Sequence, residues 1–130
     1  MDAFFHPGSL AVIGASNRNI GNFAITNLLA GFKGRIYPVN PNYKEIEGLP
    51  CFPSLKNIPH PIDLAIILVP ASSVPSVLEA CATKGIRRVI IESAGFAEIG
   101  EDGLALQDQC VAIAKQNGMR IWGPNCMGIV

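Results

Sequence analysis

The fold is indicated by the stretch Leu10-Ala11-Val12-Ile13-Gly14-Ala15-Ser16, which leads after four further residues to Gly21. Its first part consists of small and β-branched apolar residues, the composition of a strand that is buried on both faces. Gly14 allows the backbone to turn sharply and to approach a ligand closely. Apolar residues then recur at helical spacing over residues 22–32. A strand, a glycine turn and a helix start point free N–H groups and the positive end of the helix dipole at one spot, so the stretch predicts a nucleotide-phosphate site.

The composition of the 130 residues is that of one compact folded domain. Apolar residues make up 49% of the chain and charged residues only 15%, which argues against disorder. Ten basic residues balance ten acidic ones without forming a basic face, and this argues against nucleic acid as the main partner. The longest apolar run, from Leu64 to Val69, is too short to cross a bilayer. Because the N-terminus also lacks the features of a signal peptide, we expect no membrane segment and a cytoplasmic protein.

The cysteines suggest neither a metal site nor a disulfide framework. The chain has four of them, at Cys51, Cys81, Cys110 and Cys126, and no two stand at Cys-x-x-Cys spacing. Cys81 and Cys110 lie on the apolar stripes of predicted helices, where a buried free thiol acts as a small hydrophobic residue. We therefore expect no bound metal and a reducing compartment.

Predicted strands and helices alternate along the chain. The predicted strands are Leu10–Gly14, Arg35–Val39, Asp63–Val69, Arg88–Glu92 and Arg120–Trp122. The predicted helices are Asn22–Phe32, Ser73–Lys84 and Asp102–Asn117. Ser73 is expected to cap the second helix and Gly85 to end it. This alternation predicts an α/β fold, a Rossmann-like doubly wound parallel sheet of about five strands in the order 3-2-1-4-5.

The link between the second and third strands departs from this alternation. Residues Pro41 to Pro61 include five prolines, counting both ends, which makes a long helix there unfavourable. We expect a winding connection with one short helical turn at Ser54–Asn57.

Ligands of doubly wound sheets bind at the carboxyl ends of the strands, near the point where the strand order reverses. In this chain all five strand ends are followed by small or turn-forming residues. These loops are Gly14-Ala15-Ser16, Val39-Asn40-Pro41, Val69-Pro70-Ala71, Ser93-Ala94-Gly95-Phe96 and Gly123-Pro124-Asn125-Cys126. They predict one continuous crevice with accessible backbone, which suits a long flexible ligand.

The end of the second strand distinguishes between nucleotide cofactors. Dinucleotide-binding domains place Asp or Glu there to hold the ribose, whereas this chain has Asn40 and Pro41 and no carboxylate until Glu45. Lys44 lies just beyond, where a cation could meet a phosphate. A phosphate-bearing ligand other than NAD fits better, and an NAD(P)-binding Rossmann domain remains an alternative.

Five segments at strand ends occur together in a characteristic order. They are residues 5–16, Ile36–Pro41, Asp63–Pro70, Ser93–Phe96 and Gly123–Gly128. In this order they resemble the N-terminal CoA-binding domain of NDP-forming acyl-CoA synthetases. That group includes ADP-forming acetyl-CoA synthetase and the α subunit of succinyl-CoA ligase. The resemblance covers the whole chain and implies coenzyme A as the ligand.

The resemblance also implies roles for matching positions. Gly14, Ala15, Ser16 and Gly21 would form the phosphate-binding turn, and Asn40, Pro41 and Lys44 would flank the nucleotide end of CoA. Val69 and Pro70 would line its wall, and Ser93, Ala94 and Gly95 would border the pantetheine arm. Val39, at the end of the second strand, is a further candidate CoA-binding residue. From the chemistry of its side chain, Arg18 is a further candidate to reach a phosphate from the turn.

No catalytic residue is expected in this chain. The family relays phosphate through a histidine of the following domain, and neither His6 nor His60 matches that position. The resemblance therefore implies that residues 1–130 are an excised N-terminal domain, which positions CoA for thioester formation or cleavage coupled to ADP/ATP. Its partners would be the downstream ligase and nucleotide-grasping domains or subunits. A CoA-sensing regulatory domain of a protein lysine acetyltransferase is an alternative.

Overall fold

The computed structural model describes residues 8–15, 31, 34–92 and 101–122, with the side chains of residues 101–104 and 122 excepted. Within these residues the strands are β1 (Ser9–Ile13), β2 (Arg35–Val39), β3 (Glu45–Ile46), β4 (Leu49–Pro50), β5 (Leu64–Ile67), β6 (Arg88–Ile91) and β7 (Arg120–Trp122). The helices are α1 (Val74–Lys84) and α2 (Glu101–Gln116), and two 3₁₀ turns span Leu55–Asn57 and Ala71–Ser73.

A parallel sheet of five strands forms the centre of the molecule. Its order is β2-β1-β5-β6-β7, and β3 pairs with β4 in a separate antiparallel hairpin. The predicted fold class, a Rossmann-like α/β sheet of about five parallel strands, is confirmed. Counted along the chain, the five strands of the sheet lie in the order 2-1-3-4-5. The first and second strands are neighbours as expected, and so are the fourth and fifth. The expected order 3-2-1-4-5 places the third strand outside the second, whereas in the structure it lies beside the first.

The segment that follows β2 explains the position of the third strand. Phe52 forms a parallel bridge with Val39, in which its N–H donates to the Pro38 carbonyl and its own carbonyl accepts from Asn40 N, both at 2.9 Å. The returning chain therefore occupies the place at the carboxyl end of β2 that a neighbouring strand would need. It then crosses to the other side of β1, where Leu64–Ile67 pairs in parallel.

Both faces of the sheet are covered by apolar side chains. On one face, Ala11 and Ile13 of β1 belong to a large core that includes buried residues of α1 and α2. On the other face, Val12 packs in a smaller cluster with Ile46 of the hairpin. Alternate residues of one strand thus enter two different clusters, as expected for a strand buried on both faces.

The helical predictions are largely confirmed. The structure places α1 at Val74–Lys84, ends it at Gly85 with φ +89°, and has a 3₁₀ turn at Leu55–Asn57 where the short turn was predicted. The prediction that Ser73 caps α1 is wrong, because Ser73 ends the preceding 3₁₀ turn in helical conformation and its side chain makes no capping hydrogen bond. The predicted helix Asn22–Phe32 lies outside the described residues, apart from Gly31, which is helical.

Candidate functional site

A cavity of about 600 Å³ lies at the carboxyl ends of β1, β2 and β5. Its lining comes from these three strand ends, from the connection after β2 and from the start of α1. The lining residues are Ile13, Gly14, Val39, Asn40, Pro41, Asn42, Pro53, Ser54, Leu55, Val69, Pro70, Ser73, Ser76, Val77 and Ala80. The volume is within the range of small-molecule sites. The strand order reverses at β1, which has β2 on one side and β5 on the other. Ligands of such sheets bind at the carboxyl ends of the strands near this reversal, and the cavity lies there.

Gly14 allows three segments to approach each other closely at the base of this cavity. Its φ is +93°, and its N–H donates to the Val39 carbonyl at 3.0 Å. A Cβ atom at this position would lie 3.1 Å from the Leu68 carbonyl carbon and 3.2 Å from Val69 N. A side chain here would be strained by the backbone conformation and would require its neighbours to shift by a few tenths of an ångström. The sequence-based prediction of a glycine-dependent turn is consistent with this geometry.

The side chain of Asn40 connects the strand ends. Its Nδ2 donates to the Ala15 carbonyl at 2.9 Å, and its Oδ1 accepts from the Asn42 N–H at 2.8 Å. The first of these bonds joins the end of β2 to the turn after β1. Asn40 therefore links two of the strand ends beside the cavity.

The cavity wall combines apolar surface with small polar groups. Val39, Leu55, Val69 and Val77 supply apolar side chains, while asparagine and serine supply hydrogen-bonding groups. Such a lining can hold an uncharged heterocycle and a sugar. Gly14 and Ala15 supply a backbone turn beside it. The donor set and the narrow backbone cradle fit a nucleotide better than a metal ion.

The described thiols are unsuited to nucleophilic chemistry. Burial raises the pKa of Cys81 to about 12 and that of Cys110 to about 11, and burial also raises the pKa of Cys51. A thiol with a raised pKa is protonated at neutral pH and is a poor nucleophile. The expectation that Cys81 and Cys110 are buried structural residues is confirmed.

The structure brings many of the sequence-predicted site residues together. Those that line the cavity are Gly14, Val39, Asn40, Pro41, Val69 and Pro70. Ala15 is buried and reaches the site through its carbonyl bond to Asn40. Lys44 is exposed and does not belong to the lining. The remaining candidates lie outside the described residues; they are Ser16, Arg18, Gly21, Ser93, Ala94 and Gly95.

Sequence reasoning missed two parts of the cavity wall. Pro53, Ser54 and Leu55 come from the connection after β2, and Ser73, Ser76 and Val77 come from the first turns of α1 and the residue before it. The helix residues could have been found, because the turn after a strand end in such sheets leads directly into the next helix. The connection offered no comparable signal.

Two negative findings apply to the described part of the chain. Its His, Cys, Asp and Glu residues form no group that could hold a metal ion. No helix within the same residues is long and apolar enough to span a membrane.

Comparison with known proteins identifies the family. A family described as "CoA binding domain" matches residues 8–130. The chain is 44% identical, over its whole length, to the ADP-forming acetate–CoA ligase I of Archaeoglobus fulgidus, of which it covers 19%. It is 45% identical to the α subunit of the ADP-forming acetate–CoA ligase II of Pyrococcus furiosus, of which it covers 29%.

Solved structures agree with this result. The apo form of the dinucleotide-forming acetyl-coenzyme A synthetase 1 of Ca. Korarchaeum cryptofilum has a TM-score of 0.88 and 36% identity, and the match covers 95% of this chain and 27% of that one. The chain thus spans less than a third of each of these proteins. The match over residues 8–130 and the whole-length identity to these ligases show that the chain belongs to the CoA binding domain family.

Proposed function

We propose that residues 1–130 act as the CoA-binding domain of a larger ADP-forming acyl-CoA synthetase. The single observation that carries the proposal is the cavity at the carboxyl ends of β1, β2 and β5 in a chain of this family. The ligases to which the chain is similar are several times longer, which supports a role as one part of a larger catalyst. Their downstream ligase and nucleotide-grasping domains or subunits are the proposed partners, and the cytoplasm is the proposed location.

The site is proposed to hold CoA in three parts. The turn that begins at Gly14 and Ala15, with Ser16, Arg18 and Gly21, would hold the diphosphate. The cavity that Val39, Asn40, Pro41, Val69 and Pro70 line would hold the nucleotide, with Lys44 outside the lining as a cation near its phosphates. Ser93, Ala94 and Gly95 would border the pantetheine arm. The apolar wall of the cavity supports the nucleotide assignment, because the partly exposed side chains of Val69 and Val77 can pack against an adenine ring.

Within such a synthetase the domain would bind and orient rather than react. CoA supplies the thiol that becomes the thioester. The described side chains offer no activated nucleophile, since burial raises the pKa of the described thiols. A domain that holds CoA in one orientation lowers the entropic cost of bringing its thiol to an acyl group elsewhere.

Isothermal titration calorimetry of the chain with CoA and with NAD tests the proposal. We expect CoA to bind at least about tenfold more tightly than NAD, because Asn40 and Pro41 at the end of β2 provide no carboxylate to hold an NAD ribose. Equal affinities would favour a dinucleotide-binding domain, and an absence of CoA binding would refute the proposal.

A matched pair of variants locates the binding site. Ser76→Trp places a large ring in the cavity from α1, whereas Glu79→Trp makes the same change on an exposed position of that helix outside the lining. CoA affinity should fall by at least about tenfold in Ser76→Trp and stay unchanged in Glu79→Trp. Similar affinities in both variants would place CoA elsewhere.

A further inference from the structure

Asn40 makes more connections than a wall residue of a cavity needs. Besides the two side-chain bonds to Ala15 and Asn42, its N–H donates to the Phe52 carbonyl at 2.9 Å. Its carbonyl accepts from Tyr43 N and from the Cys51 thiol, each at 3.5 Å. One half-buried residue thus ties the turn after β1, the loop after β2 and the returning segment together.

The two side-chain bonds fix the orientation of the Asn40 amide. If the amide were rotated by half a turn, Oδ1 would face the Ala15 carbonyl oxygen and Nδ2 would face the Asn42 N–H. Both pairs would then be repulsive, acceptor against acceptor and donor against donor. Nδ2 is therefore committed to the Ala15 carbonyl.

The bond to Ala15 determines how the turn faces a ligand. A carbonyl that pointed into the cavity would repel an anion, and the Asn40 amide holds this carbonyl in another interaction. A turn whose carbonyl is already held in this way does not have to reorder when an anion arrives, so less entropy is lost on binding.

We infer that Asn40 is a positioning residue, which holds the Gly14–Ala15 turn in the conformation that accepts the diphosphate of CoA. This inference rests on the proposed function of the turn. It assigns the effect of Asn40 on affinity to its bond with Ala15 rather than to contact with the nucleoside. It differs from the sequence-based expectation, in which Asn40 flanks the nucleotide directly.

The test compares CoA with adenosine, which carries no phosphate. Asn40→Ala removes both side-chain bonds without adding charge, and Asn40→Asp keeps the acceptor for Asn42 but places an oxygen against the Ala15 carbonyl. Both variants should bind CoA at least about tenfold more weakly and bind adenosine with unchanged affinity, as measured by NMR titration. An equal loss for both ligands would show nucleoside contact, and an unchanged CoA affinity would show no role; either would overturn the inference.

Asn42→Ala is the matched control, because it removes the same side-chain atoms from another asparagine of the cavity lining. It keeps the Asn42 backbone N–H, which donates to Asn40 Oδ1. We expect it to weaken CoA binding less than Asn40→Ala does. An equal or larger loss in Asn42→Ala would contradict the inference.

Amide hydrogen exchange in the ligand-free chain separates the inference from the proposed function. The Gly14 N–H, which is bonded to Val39, should exchange faster in Asn40→Ala than in Asn42→Ala while the amides of β6 keep their rates. If exchange at Gly14 is faster in Asn40→Ala but the unaltered chain fails to bind CoA, the structural role of Asn40 stands and the proposed function is refuted. Unchanged exchange would refute the role of Asn40.

Discussion

Replacing Gly14 by alanine tests the close approach on which the site depends. In the structure the added Cβ would meet the Leu68 carbonyl carbon at 3.1 Å, Val69 N at 3.2 Å and Leu68 Cβ at 3.3 Å. Two of these atoms belong to the backbone, so no side-chain rotation can relieve the contacts. Leu68 N also donates to the Ile13 carbonyl at 2.8 Å, which fixes this backbone beside the end of β1.

The expected loss of stability has two parts. An L-residue at φ +93° costs roughly 1–2 kcal/mol relative to glycine. Overpacking against rigid neighbours adds roughly 1–3 kcal/mol. We therefore expect Gly14→Ala to lower the free energy of unfolding by about 2–5 kcal/mol.

Gly85→Ala is the matched control. Gly85 has a similar φ of +89°, but a Cβ there would meet no heavy atom within 4 Å beyond its neighbours in the chain. This variant should show the conformational cost alone, about 1–2 kcal/mol. The difference between the two variants then isolates the close approach at Gly14 and should be about 1–3 kcal/mol.

Urea denaturation of both variants, followed by circular dichroism, measures this difference. CoA affinity should also fall in Gly14→Ala, because relief of the contacts moves the end of β1 away from Val69 in the cavity wall. Gly85→Ala, at the far end of α1, should bind CoA normally. Equal unfolding free energies in the two variants would refute the argument from close approach, and normal CoA binding by Gly14→Ala would refute its link to the site.

Two further predictions concern the core. Leu78→Ala should lower the free energy of unfolding by about 2–5 kcal/mol in urea denaturation, since Leu78 is fully buried. Leu106 of α2 is only half-buried, so Leu106→Ala should lower the free energy of unfolding by less. Because burial raises the pKa of Cys81 and Cys110 from 9.0 to about 12 and about 11, their contribution to stability is fully present below pH 9 and is lost as the pH rises towards these values. The variant Cys81→Ala/Cys110→Ala should therefore lose less stability between pH 8 and 10 than the unaltered chain in thermal unfolding, and parallel curves would contradict the prediction.

The elements that were predicted correctly are those whose sequence signals lie within a short stretch of the chain. The strand Arg35–Val39 and the turn near Leu55 follow from apolar composition and from prolines that exclude a long helix. The hairpin of β3 and β4 was not predicted. Its strands have two residues each, and its turn uses Glu47 and Gly48, both at positive φ, in place of the more usual Asn-Gly.

The error at Ser73 has a local cause as well. A serine before an apolar helical stretch is a good capping candidate when the preceding chain is extended. Here Pro70 starts a 3₁₀ turn, and Ser73 N donates to the Pro70 carbonyl at 2.9 Å. The residue is thus already in a helical conformation when α1 begins. Its position instead places it in the cavity lining, a role that capping statistics do not indicate.

The position of the third strand and the missed wall of the cavity have one physical origin. A third strand outside β2 would leave the connection on that edge of the sheet, away from the ends of β1 and β5. Because Leu64–Ile67 pairs with β1, the chain after β2 must instead pass from one side of β1 to the other. Its bridge at Phe52 holds it against the carboxyl end of β2, and the residues that follow, Pro53 to Leu55, then line the cavity. The strand order therefore determines which segment lines this side of the cavity. Variants that lengthen this connection should weaken CoA binding in calorimetry while the free energy of unfolding in urea stays unchanged.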